Sequence, residues 1–268
     1  MNAFLLTLAL LFITQTLAYQ RNVPTMPDNI AGGRTARLGE FPHYVGFVKP
    51  DGSKLYCGGG LINKNWILTA AHCIKETPNQ QVFIGKNNWK NKTQGLILKM
   101  KRSFYHKNYD PITVINDIGL VELYEDIPED PAKNIRYMEL ETTERPLRAL
   151  VTACGWGLTE KSETEAPDDL RTVDLPIVEG EKCFAHGLFL NETMICIGDG
   201  DRKDTCYGDS GGPVVRRSKV NQRWIAVGIT SYGGLICGAE GSRGTYTKIK
   251  SYLDWLDSLN VTYIKASS

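Results

Sequence analysis

From Ile30 onward the chain is a succession of short apolar runs, each closed by glycine, proline, asparagine or aspartate. "YVGFV", "CGGGLI", "WILTA", "QVFIG", "GLILKM" and "DIGLVEL" fill the first half. "ALVTACGW", "LRTVDLPIV", "MICIG", "GPVV", "WIAVGITSY" and "TYTKI" fill the second. Short runs rich in β-branched and aromatic residues, bounded by turn formers, read as strands rather than helices. A looser stretch near 125–148, with prolines and mixed charge, separates the two halves. Only the end, "SYLDWLDSLN", has helical spacing, at Leu253, Leu256 and Leu259. That helix is expected to dock on the second half. The class is therefore all-β with a C-terminal α-helix.

The first eighteen residues, "MNAFLLTLALLFITQTLA", are apolar and end in small side chains, which reads as a cleaved secretory signal over 1–18. A membrane anchor is the alternative, although the run sits at the short limit of a bilayer span and lacks flanking charge. The polar piece over 19–29, "YQRNVPTMPDN", holds nothing that could form a core. Secretion places the seven cysteines in an oxidising compartment, where they pair and one is left over. Sequons at Asn91, Asn191 and Asn260 fit glycosylation on the same route. A formal net charge of +1 gives no basic excess for nucleic acid and no acidic excess for disorder. The basic groups "KMKR" and "VVRRSK" read as solvated faces, with polyanion contact as the alternative.

Chemistry enters with "DTCYGDSGGP", Asp204 to Pro213. A serine is a poor nucleophile unless a base stands within hydrogen-bond reach and a third group orients that base. Of the four histidines, His72 follows an apolar strand in "LTAAHC", and Asp117 opens another in "NDIGLVEL". "WILTAAHC", "NDIGLVEL" and "GDSGGP", in this order, resemble the chymotrypsin-like serine proteases, and "CGGGLI", "CGWG" and "SYGG" are similar to further blocks of that family. The resemblance runs from Ile30 to about the last helix. It implies two six-stranded antiparallel β-barrels with the active site between them.

By this resemblance Ser210 is the nucleophile, His72 the general base and Asp117 the group that fixes the imidazole. The N–H groups of Gly208 and Ser210 match the oxyanion hole, and Ser231 a serine supporting the triad aspartate. The resemblance also pairs Cys57 with Cys73, Cys183 with Cys196, and Cys206 with Cys237. Cys154 is left unpaired, because Arg216 occupies its usual partner's position. A buried apolar role and an intermolecular disulfide both stay open for it.

Asp204 matches the base of the primary pocket in trypsin-like enzymes, with Gly233 and Gly244 as pocket walls and Tyr232 on the substrate-binding wall. That implies cleavage after Arg or Lys, since a buried cation needs a carboxylate. The alternative is a solvated loop charge beside Arg202 and Lys203. Arg243, where proline is common, is a departure; folded inward it would neutralise Asp204. Family members are made as inactive precursors, and "IAGG" makes Ile30 the new terminus and Asp209 its partner. Asn29 stands where Arg or Lys is usual, so self-activation is not expected. The expected domains are a signal over 1–18, a propeptide over 19–29 and a catalytic domain over 30–268. Expected partners are protein or peptide substrates, an activating protease cutting after Asn29, and protein protease inhibitors. No cofactor, metal, nucleic acid or membrane is expected, and the chain is expected to be a monomer. The rival reading is a protease-like binding protein with little or no turnover.

Overall fold

The computed structural model describes residues 32–75, 81–158, 166–186, 190–234 and 237–267. The segments read as signal and propeptide, with Ile30, lie outside them. Two barrels account for most strands. The first closes as β2 (Tyr44–Val48), β3 (Leu55–Leu61), β4 (Trp66–Thr69), β7 (Gly119–Leu123), β6 (Leu96–Tyr105) and β5 (Gln81–Ile84). All its pairings are antiparallel. The second runs β12 (Pro213–Arg217), β9 (Leu150–Gly155), β10 (Arg171–Val178), β11 (Met194–Ile197), β14 (Gly244–Lys248) and β13 (Trp224–Tyr232), and closes through β12–β13. β1 (Arg34–Thr35) pairs with β10, so the chain starts on the second barrel before building the first. β8 (Glu139–Leu140) and β15 (Ile264–Lys265) extend β13 in parallel.

The sequence explains the closure. β2 and β7 are buried at every residue, as strands covered on both faces must be. In "CGGGLI" the missing side chains allow close approach: a Cβ on Gly59 would stand 2.9 Å from both Ile67 and Phe47. Val45, Phe47, Leu68 and Val121 fill the first barrel, and Val151, Leu175, Val214 and Tyr246 the second. Each such side chain contributes roughly 1.5–3 kcal/mol by leaving water. The barrels meet where Gly58 N–H donates to Ser210 C=O at 2.7 Å, and within the first barrel Thr69 Oγ1 donates to Gly58 C=O at 2.8 Å.

The C-terminal helix, Leu253–Ser258, does not dock as expected. Tyr252 and Trp255 set their rings against His106, which follows β6 of the first barrel, at centroid distances of 5.7 and 5.6 Å. Apolar spacing defined the helix face; the aromatic pair beside it selects the surface that receives it. Among the described residues, no helix is long and apolar enough to cross a membrane.

Candidate active site

β4 ends at Thr69 and the chain turns into a four-residue helix, Ala71–Ile74. The Cys57–Cys73 disulfide clamps this helix to β3, fixing the backbone of His72. Asp117 lies just before β7, after two left-handed residues, Val114 (φ 57°) and Asn116 (φ 59°). A β-branched side chain seldom adopts that conformation, so the surrounding fold imposes it. The Asp117 carboxylate is fully buried and accepts three hydrogen bonds: His72 N–H at 3.0 Å, His72 Nδ1 at 2.8 Å and Ser231 Oγ at 2.6 Å. A buried charge requires such donors. With the Nδ1 proton held there, the lone pair of Nε2 is left to accept another.

Ser210 belongs to a tight turn. Asp209 N–H donates to Cys206 C=O, Gly212 N–H to Asp209 C=O, and Gly211 N–H crosses to Thr230 C=O. Gly208 takes φ +103°, where a side chain would be strained and its Cβ would lie 3.1 Å from Gly157. Among the described residues, neither the Gly208 nor the Ser210 N–H has an acceptor, leaving both donors for a ligand. No hydrogen bond joins Ser210 Oγ to His72 Nε2 among those residues. Catalytic hydrogen bonds are commonly long before substrate tightens them.

Asp209, next to the serine, is fully buried and accepts N–H groups from Gly157 at 2.8 Å and Cys206 at 2.9 Å. Burial pushes its carboxyl up to about 6 despite those bonds. Among the described residues no cation pairs with it. Asp204, six residues before Ser210, is also buried, so it is not the solvated loop charge of the alternative reading. Ser242 Oγ donates to its Oδ2 at 2.6 Å. Gly233 and Gly244 are neighbours: a Cβ on the first would stand 3.9 Å from Cα of the second, an ordinary contact distance. The Arg243 guanidinium donates to two carbonyls, Gly241 at 2.9 Å and Asp199 at 3.2 Å. Half-buried Tyr232 closes β13 beside Ser231.

The cysteines pair as Cys57–Cys73, Cys183–Cys196 and Cys206–Cys237, the last tying the serine turn to the segment after Gly233. Cys154 is a free, buried thiol pushed well up by that burial. The one cluster of metal-ligating side chains among the described residues, Cys57, His72 and Cys73, is built on a disulfide and offers no thiolate. Asn91 and Asn191 each accept from the backbone and hydroxyl of their own sequon threonine, Thr93 and Thr193, and Asn260 is exposed in a left-handed conformation.

Two groups escaped the sequence reading. Ser242 carries no signal beyond a glycine-rich neighbourhood, and only the need of buried Asp204 for a donor points to it. Arg216 is more than a replaced cysteine: its Nε lies 2.6 Å from Oε2 of buried Glu141.

The chain matches the family model described as Trypsin over residues 30–256. Glandular kallikrein-10 of Rattus norvegicus is 31% identical over 261 residues, covering 92% of this chain and 95% of that protein. Kallikrein 1-related peptidase b11 of Mus musculus is 30% identical with the same coverage. Brachyurin of Leptuca pugilator is 32% identical over 230 residues, 85% of this chain and 97% of its own length.

Proposed function

The chain belongs to the trypsin family of serine proteases, and from that premise we propose that it is a secreted endopeptidase that cuts after Arg or Lys and is made as a precursor opened between Asn29 and Ile30. The observation that carries the reading is the buried Asp117 carboxylate, shared by His72 and Ser231 beside the Ser210 turn. In this reading Ser210 Oγ attacks the scissile carbonyl carbon while its proton passes to His72 Nε2. The carbonyl oxygen becomes an oxyanion held by the N–H groups of Gly208 and Ser210. The C–N bond then breaks, the leaving amine takes the proton from Nε2, and an acyl-enzyme remains. Water repeats the sequence, giving its proton to Nε2 and its oxygen to the acyl carbon, and Ser210 regains its hydrogen. Asp117 stays ionised throughout and stabilises the imidazolium.

The burial of Asp204 and the adjacency of Gly233 and Gly244 support a slot for a long cationic side chain. Buried Asp209 suits an incoming α-ammonium, which supports Ile30 as its partner after cleavage. In this reading residues 1–18 are the signal, 19–29 the propeptide and 30–268 the catalytic domain. Its partners are protein or peptide substrates, an activating protease that accepts Asn29, and protein protease inhibitors. The three sequon asparagines, Asn91, Asn191 and Asn260, are the proposed glycan sites.

The test uses protein processed to begin at Ile30 and a peptide panel differing only before the cut, beside Ser210→Ala. Preference for Arg and Lys, absent in the variant, is the expected result. Turnover after another residue type would remove the pocket assignment and keep the nucleophile. No turnover from folded, correctly processed protein would move the reading to a protease-like binding protein.

A further inference from the structure

A second polar cluster lies apart from this site and shares none of its residues. The His43 imidazole is only 1% exposed, and among the described residues neither of its ring nitrogens has a hydrogen-bond partner. It lies edge-on beside the stacked rings of Phe41 and Trp224, at centroid distances of 6.3 and 6.2 Å. Burial keeps it neutral, so it carries one N–H donor with no acceptor. A buried donor left unsatisfied is costly, which marks the spot as one that a ligand could complete.

His43 lines a cavity of about 110 Å³ together with Arg136, Arg217 and Arg223. Arg223 is engaged by Glu129 through two hydrogen bonds of 2.5 and 3.0 Å. The other two guanidinium groups have no ion pair among the described residues. Arg217 stands over Trp224, its Cζ 3.7 Å from the ring centroid, with one nitrogen on Gln222 C=O. Arg136 is exposed. Glu40 also lines the cavity, but its carboxylate already holds the Arg34 guanidinium and the Arg37 N–H. Two arginines without an ion pair among the described residues, and an imidazole without a hydrogen-bond partner, thus line a space sized for one small polyatomic group. Drug-sized ligands need roughly 300 Å³ or more. Planar guanidinium groups favour oxyanions, which they hold through paired N–H bonds.

We propose that this cavity binds one oxyanion of the sulfate or phosphate class, held by Arg136 and Arg217 with the His43 N–H at its floor. The group arrives either as the free ion or as an ester on a sulfated polysaccharide. "VVRRSK", whose second arginine is Arg217, then supplies a ligand rather than a merely solvated face.

The test is calorimetric titration of the full chain with sodium sulfate and with sodium phosphate, against sodium chloride at matched ionic strength. Saturable one-site binding above the chloride background is expected. Arg136→Gln and Arg217→Gln should each weaken it about tenfold, and His43→Phe should do the same. Lys99→Gln, on the exposed face of β6, should leave it unchanged. Arg136 is exposed, so Arg136→Gln decides the matter even where another variant fails to fold. Absence of saturation, or equal binding by Arg136→Gln, would overturn the proposal. A sulfated oligosaccharide that binds at least tenfold tighter than free sulfate, and loses that advantage in Arg136→Gln, would identify the polymer as the source. Equal affinity would identify the free ion.

Discussion

Ser231 donates its hydroxyl hydrogen to Oδ2 of Asp117, 2.6 Å away, the same oxygen that stands 2.8 Å from His72 Nδ1. The shared oxygen makes Ser231 a positioning residue. It holds the carboxylate so that the imidazole proton stays on Nδ1. Removing one hydrogen bond to a buried charge costs about 1.5–3 kcal/mol. Ser231→Ala should therefore lower kcat/KM about tenfold to a hundredfold, mainly through kcat. Asp117→Asn, which reverses the tautomer preference, should lower it by about 10⁴-fold. Steady-state kinetics on one Arg peptide checks both, and an unchanged kcat in Ser231→Ala would remove the positioning role.

Asp209 gives a prediction with opposite signs before and after processing. Its carboxyl is raised from 3.8 to about 6 by burial, so the fold keeps a proton that the unfolded chain releases. Between those values the folded state binds more protons, and this group's contribution to stability falls as pH rises. Above pH 6 the cost reaches about 3 kcal/mol in the unprocessed chain. Unprocessed Asp209→Asn should therefore unfold at higher denaturant than the wild type at pH 7.5 and at a similar concentration at pH 3.5. Processed Asp209→Asn should be less stable and inactive, because the α-ammonium loses its counter-charge. Chemical denaturation of both forms at both pH values separates these outcomes.

His43 predicts an acid-sensitive fold. Burial, followed by the charge of Arg217, pushes its imidazole down to about 3. The unfolded chain takes up a proton near pH 6.5, but the fold refuses it until about pH 3. Stability is thus lost as pH falls through that window, by about 5 kcal/mol at its acid end. His43→Phe, which keeps a ring beside the Phe41–Trp224 stack, should flatten the pH dependence over the window. Denaturation midpoints in chloride buffer from pH 3.5 to 7.5 would show it. A variant with the wild-type slope would mean that His43 finds a proton partner in solution.

Specificity is testable at Asp204. Leaving a substrate guanidinium buried without its carboxylate costs about 3–5 kcal/mol. Asp204→Asn should lower kcat/KM for Arg and Lys peptides at least a hundredfold and spare the turnover of small apolar ones. Ser242→Ala, which removes the 2.6 Å donor to the same carboxylate, should lower it less than Asp204→Asn does, about tenfold. Arg243 binds the carbonyls of Gly241 and Asp199, so it braces the loop beside Gly244. Arg243→Ala should bring no gain in Arg turnover. A marked gain would mean that the guanidinium swings inward and competes with substrate.

The fold was legible because strand runs and turn residues are local signals, and each run in the sequence falls on a strand. Ser210, His72 and Asp117 could be singled out because each lies in a distinctive block. Their mutual geometry could not, because it depends on Val114 and Asn116 adopting left-handed backbone and on the Cys57–Cys73 clamp. The docking of the last helix was misread because its leucines define a face but not its receiver, which His106 supplies. His43 was one histidine among four. Its lack of partners is a property of the packed interior that no local pattern encodes.

Arg216 shows what stands where the sequence reading had placed only an absent disulfide. Val215 pairs with Thr152 across β12 and β9, and Arg216 pairs with Ile225 of β13. Its side chain reaches Glu141, which is 2% exposed, with Arg145 at 3.9 Å as a weaker second partner. Burial alone would raise the Glu141 carboxyl; hydrogen bonds from Arg216 and Thr143 outweigh it and hold the group below its ordinary range. Removing one partner strands the other's charge, which typically costs about 3–5 kcal/mol, whereas replacing both by apolar groups is often neutral. Arg216→Met should therefore lower the melting temperature by several degrees, and Arg216→Met with Glu141→Leu should recover most of the loss. Thermal unfolding of the two variants distinguishes a coupled buried pair from a surface contact, since a surface contact would leave both melting temperatures near the wild-type value.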